Sequence, residues 1–194
     1  MVQPPSDGHL DLGQLAVVAG LLGRNTTTPE AACVGIWNGY GELHPGSGSV
    51  SIIFAGADDD PRVRAAAEES FRRTLREAVS PEVASALQRG PLLELPQREY
   101  VLLAADVHEF TDRSWTEAAG LGWAGGFNGP TPNLLWPADR AWFLASEIDF
   151  DSTLVGGSRA LIDAIVSDPA LEAAEVGPDT DLTWQGDSLN PMPE

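Results

Sequence analysis

Lysine is missing altogether from this 194-residue chain: all 11 basic residues are arginine, set against 29 Asp and Glu, for a formal charge of −18. A nucleic-acid ligand needs a basic patch to neutralise its phosphates, and none is visible, so nucleic-acid binding is excluded from the expected functions. An anionic membrane surface is disfavoured on the same ground. Cysteine occurs once, at Cys33, so no internal disulfide can form and nothing asks for an oxidising compartment. Long apolar runs are missing too. The stretch "LAVVAGLLG" is shorter than the roughly 18–20 residues of a membrane span and lacks the flanks of a signal peptide. The expected location is cytoplasmic, with no membrane contact. Nucleophile elbows, phosphate-binding loops, zinc spacings and dinucleotide fingerprints are also lacking, which weighs against the common enzyme classes.

What is present is enough for a folded domain. The chain is 43% hydrophobic and has six Trp, sufficient for a core. Residues 1–9 read as loose, residues 10–176 as one domain, and residues 177–194 as an acidic, flexible tail that docks at most through Trp184. Leu12, Leu15, Val18, Ala19 and Leu22 recur at helical spacing after an N-cap at Asp11. Cys33, Gly35 and Trp37 alternate in a short strand that ends at Asn38-Gly39, hairpin chemistry that predicts a return strand from Val50.

A helical insert follows at about residues 60–89. Asp60 and Pro61 open a helix carrying Val63, Ala67, Phe71, Leu75 and Val79 on one face, with Glu68–Arg72, Glu69–Arg72 or Arg73, and Arg73–Glu77 pairs on the other. Ser80 and Pro81 open a second helix, ended by Arg89 and Gly90. Two strands are expected around Pro96, then the Gly- and Pro-rich residues 121–133 as a lid or binding loop. Residues 134–153 form the longest β-like stretch, Ser158 caps a further helix, and residues 172–178 suggest a short edge strand. The expected class is α+β, a single domain with a mainly antiparallel sheet and helices at the N-terminus, in the middle and near the C-terminus.

Candidate chemistry centres on "SEIDFD". As a strand it puts Glu147, Asp149 and Asp151 on one face, about 7 Å apart, where oxygen ligands suit Mg²⁺ or Mn²⁺. A metal-dependent hydrolase or phosphoesterase would use Glu147 and Asp149 with His108 or Arg140 assisting. The same alternation is what any half-exposed antiparallel strand shows, solvated or paired with Arg140 or Arg159, and that reading needs no cofactor. Gly156, Gly157 and Ser158 with Arg159 form a candidate anion site at a helix start. His9, His44 and His108 are too scattered to suggest a ligand set. The aromatic residues Trp37, Tyr40, Trp123, Phe127 and Trp136 sit near turns and Gly-rich loops, and are the candidate anchors of a protein interface ringed by acid.

Two segments carry a resemblance: "TPEAACVGIWNGYGEL" at residues 28–43 and "LLWPADRAWFLASEIDFDSTLVGGS" at residues 134–158. Together they resemble an uncharacterised actinobacterial protein family built on a Trp-x-Gly-Tyr-Gly turn and a Trp-Pro-x-Asp-Arg-Ala-Trp-Phe strand. In size, charge and class the chain is also similar to SUKH-type immunity proteins, which neutralise toxins by binding them. The expectation is an acidic binding protein, immunity-type or regulatory, that masks a basic partner surface, because opposite fields steer encounter. Nothing in the sequence specifies an oligomeric state.

Overall fold

The computed structural model describes residues 7–44, 61–124 and 129–182. The N-terminal helix forms where its spacing and cap place it. In α1 (Leu12–Arg24) the Asp11 carboxylate accepts the Gly13 and Gln14 N–H groups at 2.8 and 3.2 Å, and Leu15, Val18, Ala19 and Leu22 are buried. Strand β1 (Ala32–Trp37) follows. Helix α2 (Pro61–Ala78) and helix α3 (Pro81–Arg89, capped by Ser80) make the helical insert. Strands β2 (Leu93–Leu95) and β3 (Arg98–Ala105), short helix α4 (Trp115–Ala118), strands β4 (Leu134–Pro137), β5 (Phe143–Ser146) and β6 (Thr153–Gly156), and helix α5 (Arg159–Val166, capped by Ser158) complete the order.

The six strands form one antiparallel sheet in the order β2-β3-β1-β4-β5-β6. The chain is thus a single α+β domain. Alternation assigns the faces. Ala32, Val34 and Ile36 of β1, with Val101 and Leu103 of β3, Leu135 and Leu144, turn to one core shared with α1, α3, α4 and α5. The opposite face takes Trp37, Arg98, Tyr100, Leu134, Trp136, Phe143 and Leu154, none of which belongs to that core. Among the described residues no helix is long and apolar enough to cross a membrane.

Several expectations are corrected. Asn38-Gly39 makes the expected turn, which leads into a 3₁₀ turn at Gly41–Leu43. With β3 on one side and β4 on the other, β1 is central and has no free edge for a hairpin partner over residues 32–35. Val50, Asp60, Phe127 and Trp184 lie outside the described residues. The stretch from 142 to 153 is not one strand. It breaks after Ser146 into a turn, closed by Phe150 N–H donating to Glu147 O at 3.1 Å, because the acids in "EIDFD" favour turns over strand interiors. In α2 only Leu75 is fully buried, while Val63 at the other end of the stripe is 47% exposed. Among its ion pairs are Glu68–Arg72 and, across seven residues, Glu69–Arg76.

The polar stretch after β3 is more than a boundary. A 3₁₀ segment at Val107–Thr111 and α4 supply Val107, Phe110 and Trp115 to the core, the last two packed edge-to-face at 5.1 Å. Residues 172–178 form no strand, which leaves β6 at the sheet edge among the described residues.

Candidate functional site

The sheet brings one end of every strand to the same side: the ends of β1, β2 and β5 and the starts of β3, β4 and β6. Asn133 organises this end. It is fully buried, and its Oδ1 accepts the Trp37 N–H at 2.9 Å. Its Nδ2 faces the Tyr40 hydroxyl at 3.1 Å, Ser146 O at 3.2 Å and Gly8 O at 3.3 Å. The Tyr40 hydroxyl in turn donates to Gly8 O at 3.1 Å, and burial pushes its pKa up from the ordinary phenol value. Gly8 is held against the 147–150 turn through its N–H to Phe150 O at 2.8 Å. Its φ of +72° and a space where any Cβ would come within 2.8 Å of Ile148 Cα require glycine. Residues 7–9, expected to be loose, are therefore docked.

Arg98 closes the outward side of this end. Its Nε donates to Glu147 Oε1 at 3.0 Å, and its Nη2 lies 2.9 Å from that oxygen and 2.5 Å from Asp149 Oδ2. Two of the three candidate carboxylates thus converge on a guanidinium, and the arginine is neither Arg140 nor Arg159. Asp151 is exposed and outside this cluster. Among the described residues no three His, Cys, Asp or Glu side chains are grouped to hold a metal ion. His108 sits on the helical side of the sheet, its ring against α1 at Gly23. Arg140 precedes β5 and Glu147 follows it, so about 13 Å of strand separates them. Neither His108 nor Arg140 is brought to Glu147 and Asp149. Arg159, the candidate anion ligand, pairs with Asp163 at 3.0 Å and Glu175 at 2.8 Å.

Beside Arg98 lies a cavity of about 440 Å³ between the end of β1 and the β2–β3 hairpin. Trp37 and Leu95 form its apolar wall, with Asn38, Glu94 and Glu99 around them. Trp37 packs edge-to-face on Tyr40 at 5.3 Å, so its ring is held in place. Glu94 and Glu99 are direct cross-strand partners in the hairpin. Glu99 accepts only a 3.3 Å bond from Asn38 Nδ2 on its side chain, and Glu94 has no side-chain partner among the described residues. The hairpin itself turns through Pro96-Gln97, with Gln97 at a φ of +63°.

Of the aromatic candidates, Trp37 lines this cavity and Tyr40 supports it from behind. Trp123 points inward instead: its indole N–H donates to Pro130 O at 3.2 Å and its ring meets Trp115 at 6.0 Å. The described part of residues 121–133 is largely buried and fills the core, and nothing in it is arranged as a lid. Trp136 stacks on Phe143 at the opposite end of the sheet. The pairing of Glu94 with Glu99 was not singled out in the sequence. The signal for it was the hairpin register, in which each Glu lies one residue inside the closing Leu95–Arg98 pair. The chain matches no family model, no curated protein and no solved structure.

Proposed function

We propose that the protein is an acidic binding protein, of the immunity or regulatory kind, that masks a basic surface of a protein partner. One observation carries this reading: Glu94 and Glu99 are paired across the hairpin beside a cavity that Trp37 and Leu95 also line, with no arginine neutralising them among the described residues. Like charges directly opposite on a sheet repel, so the pair is a standing cost that a cation relieves. A guanidinium or ammonium from a partner meets both carboxylates there, in a cavity whose lining also includes Trp37. Arg98 does not serve this purpose, because Glu147 and Asp149 hold it.

The reading is tested by the affinity of the full chain for a nona-arginine peptide at 50 mM and 500 mM salt. The expected result is binding at low salt that weakens about tenfold or more in the Glu94→Gln/Glu99→Gln variant. Equal affinity for wild type and variant would contradict it. The metal-dependent hydrolase reading is the weaker one, because two of its three oxygen ligands, Glu147 and Asp149, turn to Arg98.

A further inference from the structure

The other end of the sheet holds a second cavity, of about 510 Å³, lined by Trp136, Arg140, Ala141, Phe143, Gly156 and Gly157 among others. Its floor follows from the register. Trp136 and Phe143 are outward-facing neighbours on β4 and β5, and their rings stack with centroids 5.6 Å apart and planes 22° from parallel. Phe143 pairs across β5–β6 with Gly156, which offers no side chain to cover it, so its ring is 44% exposed. A Cβ built on Gly156 meets nothing within 4 Å. The steric need that explains Gly8 is absent here, and what remains is a hole of side-chain size beside two aromatic rings.

Two further features converge on that hole. Strand β6 is the edge of the sheet, so alternate N–H and C=O groups of Thr153–Gly156 point outward with no strand to receive them among the described residues. Arg140 stands on the rim in a left-handed conformation, φ +57°, which an L side chain adopts only at a cost. Its guanidinium has no carboxylate partner among the described residues. The adjacent Asp139 cannot serve, since its oxygens accept from Thr26 Oγ1, Thr27 N and Oγ1, and Ala141 N at 2.7–3.1 Å. Arg140 can therefore meet an external carboxylate at this rim.

We propose that this end of the sheet receives an extended, acid-bearing peptide segment of a partner protein by strand addition to β6. The peptide backbone pairs with the outward groups of residues 153–156. One apolar side chain enters the hole over Gly156 against Phe143 and Trp136, and a neighbouring carboxylate meets Arg140. This site is separate from the cavity at Trp37 and stands or falls without it.

The test is a titration of the full chain with the acetylated, amidated peptide Thr-Val-Thr-Leu-Thr-Asp, followed by amide NMR and by fluorescence polarisation. The expected result is that the amides of Thr153–Gly156 shift and become protected from exchange. Replacing the peptide's Asp by Asn lowers affinity about tenfold. Gly156→Leu fills the hole and abolishes binding without lowering the Tm, and Arg140→Gly raises the Tm while weakening binding. Affinity unchanged by both variants, or indifferent to the Asp-to-Asn exchange, would overturn the proposal. So would sedimentation showing a dimer that Gly156→Leu dissociates, because β6 would then be the seat of a second copy.

Discussion

Glu94 and Glu99 stand directly opposite one another in the β2–β3 hairpin, one residue inside the pair that closes it, while the hairpin's own arginine, Arg98, reaches away to Glu147 and Asp149. The arrangement is unfavourable for the hairpin alone. Replacing Glu94 by Gln is therefore expected to stabilise the fold by about 0.2–1 kcal/mol at low salt. The gain should shrink toward zero at 0.5 M salt, where exposed charges are screened. Urea unfolding at the two salt concentrations checks this.

Asn133 ties four segments together at full burial: residue 8, the end of β1, Tyr40 and the end of β5. Asn133→Leu removes the acceptor of the Trp37 N–H and the donor to the surrounding oxygens, leaving buried polar groups without partners. The expected cost is about 2–4 kcal/mol in urea unfolding. Residue 8 and Tyr40 should lose exchange protection first, since the asparagine holds both.

Leu75 and Val63 lie on the same helix in opposite circumstances, one buried and one 47% exposed. Leu75→Ala is expected to cost about 2–4 kcal/mol, and Val63→Ala less than about 0.5 kcal/mol. Equal costs in thermal unfolding would mean that α2 is packed along its whole length.

Asp139 joins the loop after α1 to the turn after β4. The Thr27 N–H, the Thr26 hydroxyl, the Thr27 hydroxyl and the Ala141 N–H hold its carboxyl well below the ordinary carboxylate range. A depressed folded value stabilises the protein at every pH above the unfolded value, about 3.9. That contribution is lost progressively as pH falls below it toward the folded value. Asp139→Asn should therefore lower the Tm at pH 7 and narrow the gap to wild type as the pH drops from 4 to 2, as followed by circular dichroism.

Helices and caps were the legible part of the fold. Asp11, Ser80 and Ser158 each accept the N–H groups their cap positions imply, because a cap is a local signal. Strand continuity was not legible across Ser146. The alternation of "ASEIDFDST" keeps period two through a turn, and only pairing partners tell a strand from a turn of the same period. The 3₁₀ segment at Val107–Thr111 was missed because five residues are too few for a periodic signal, though Val107 and Phe110 pack deep in the core.

At the candidate site, residue types were easier to read than residue pairs. Trp37 and Tyr40 stood out as aromatic residues beside a turn. That Arg98 takes Glu147 and Asp149, and that Glu94 meets Glu99, depends on a register of strands far apart in the chain. The value of Asn133 was hidden for the same reason, since its partners run from residue 8 to residue 146.

The central claim is that a basic side chain enters the cavity at Trp37, and the indole N–H signal of Trp37, assigned with Trp37→Phe, reports it most directly. Titrating the labelled protein with nona-arginine at 50 mM salt should move that signal, and the movement should disappear in Glu94→Gln/Glu99→Gln. It should persist in Glu109→Gln/Glu117→Gln, which removes the same charge from exposed positions on the helical side. A Trp37 signal that stays fixed, or one lost equally in both double variants, would contradict the account.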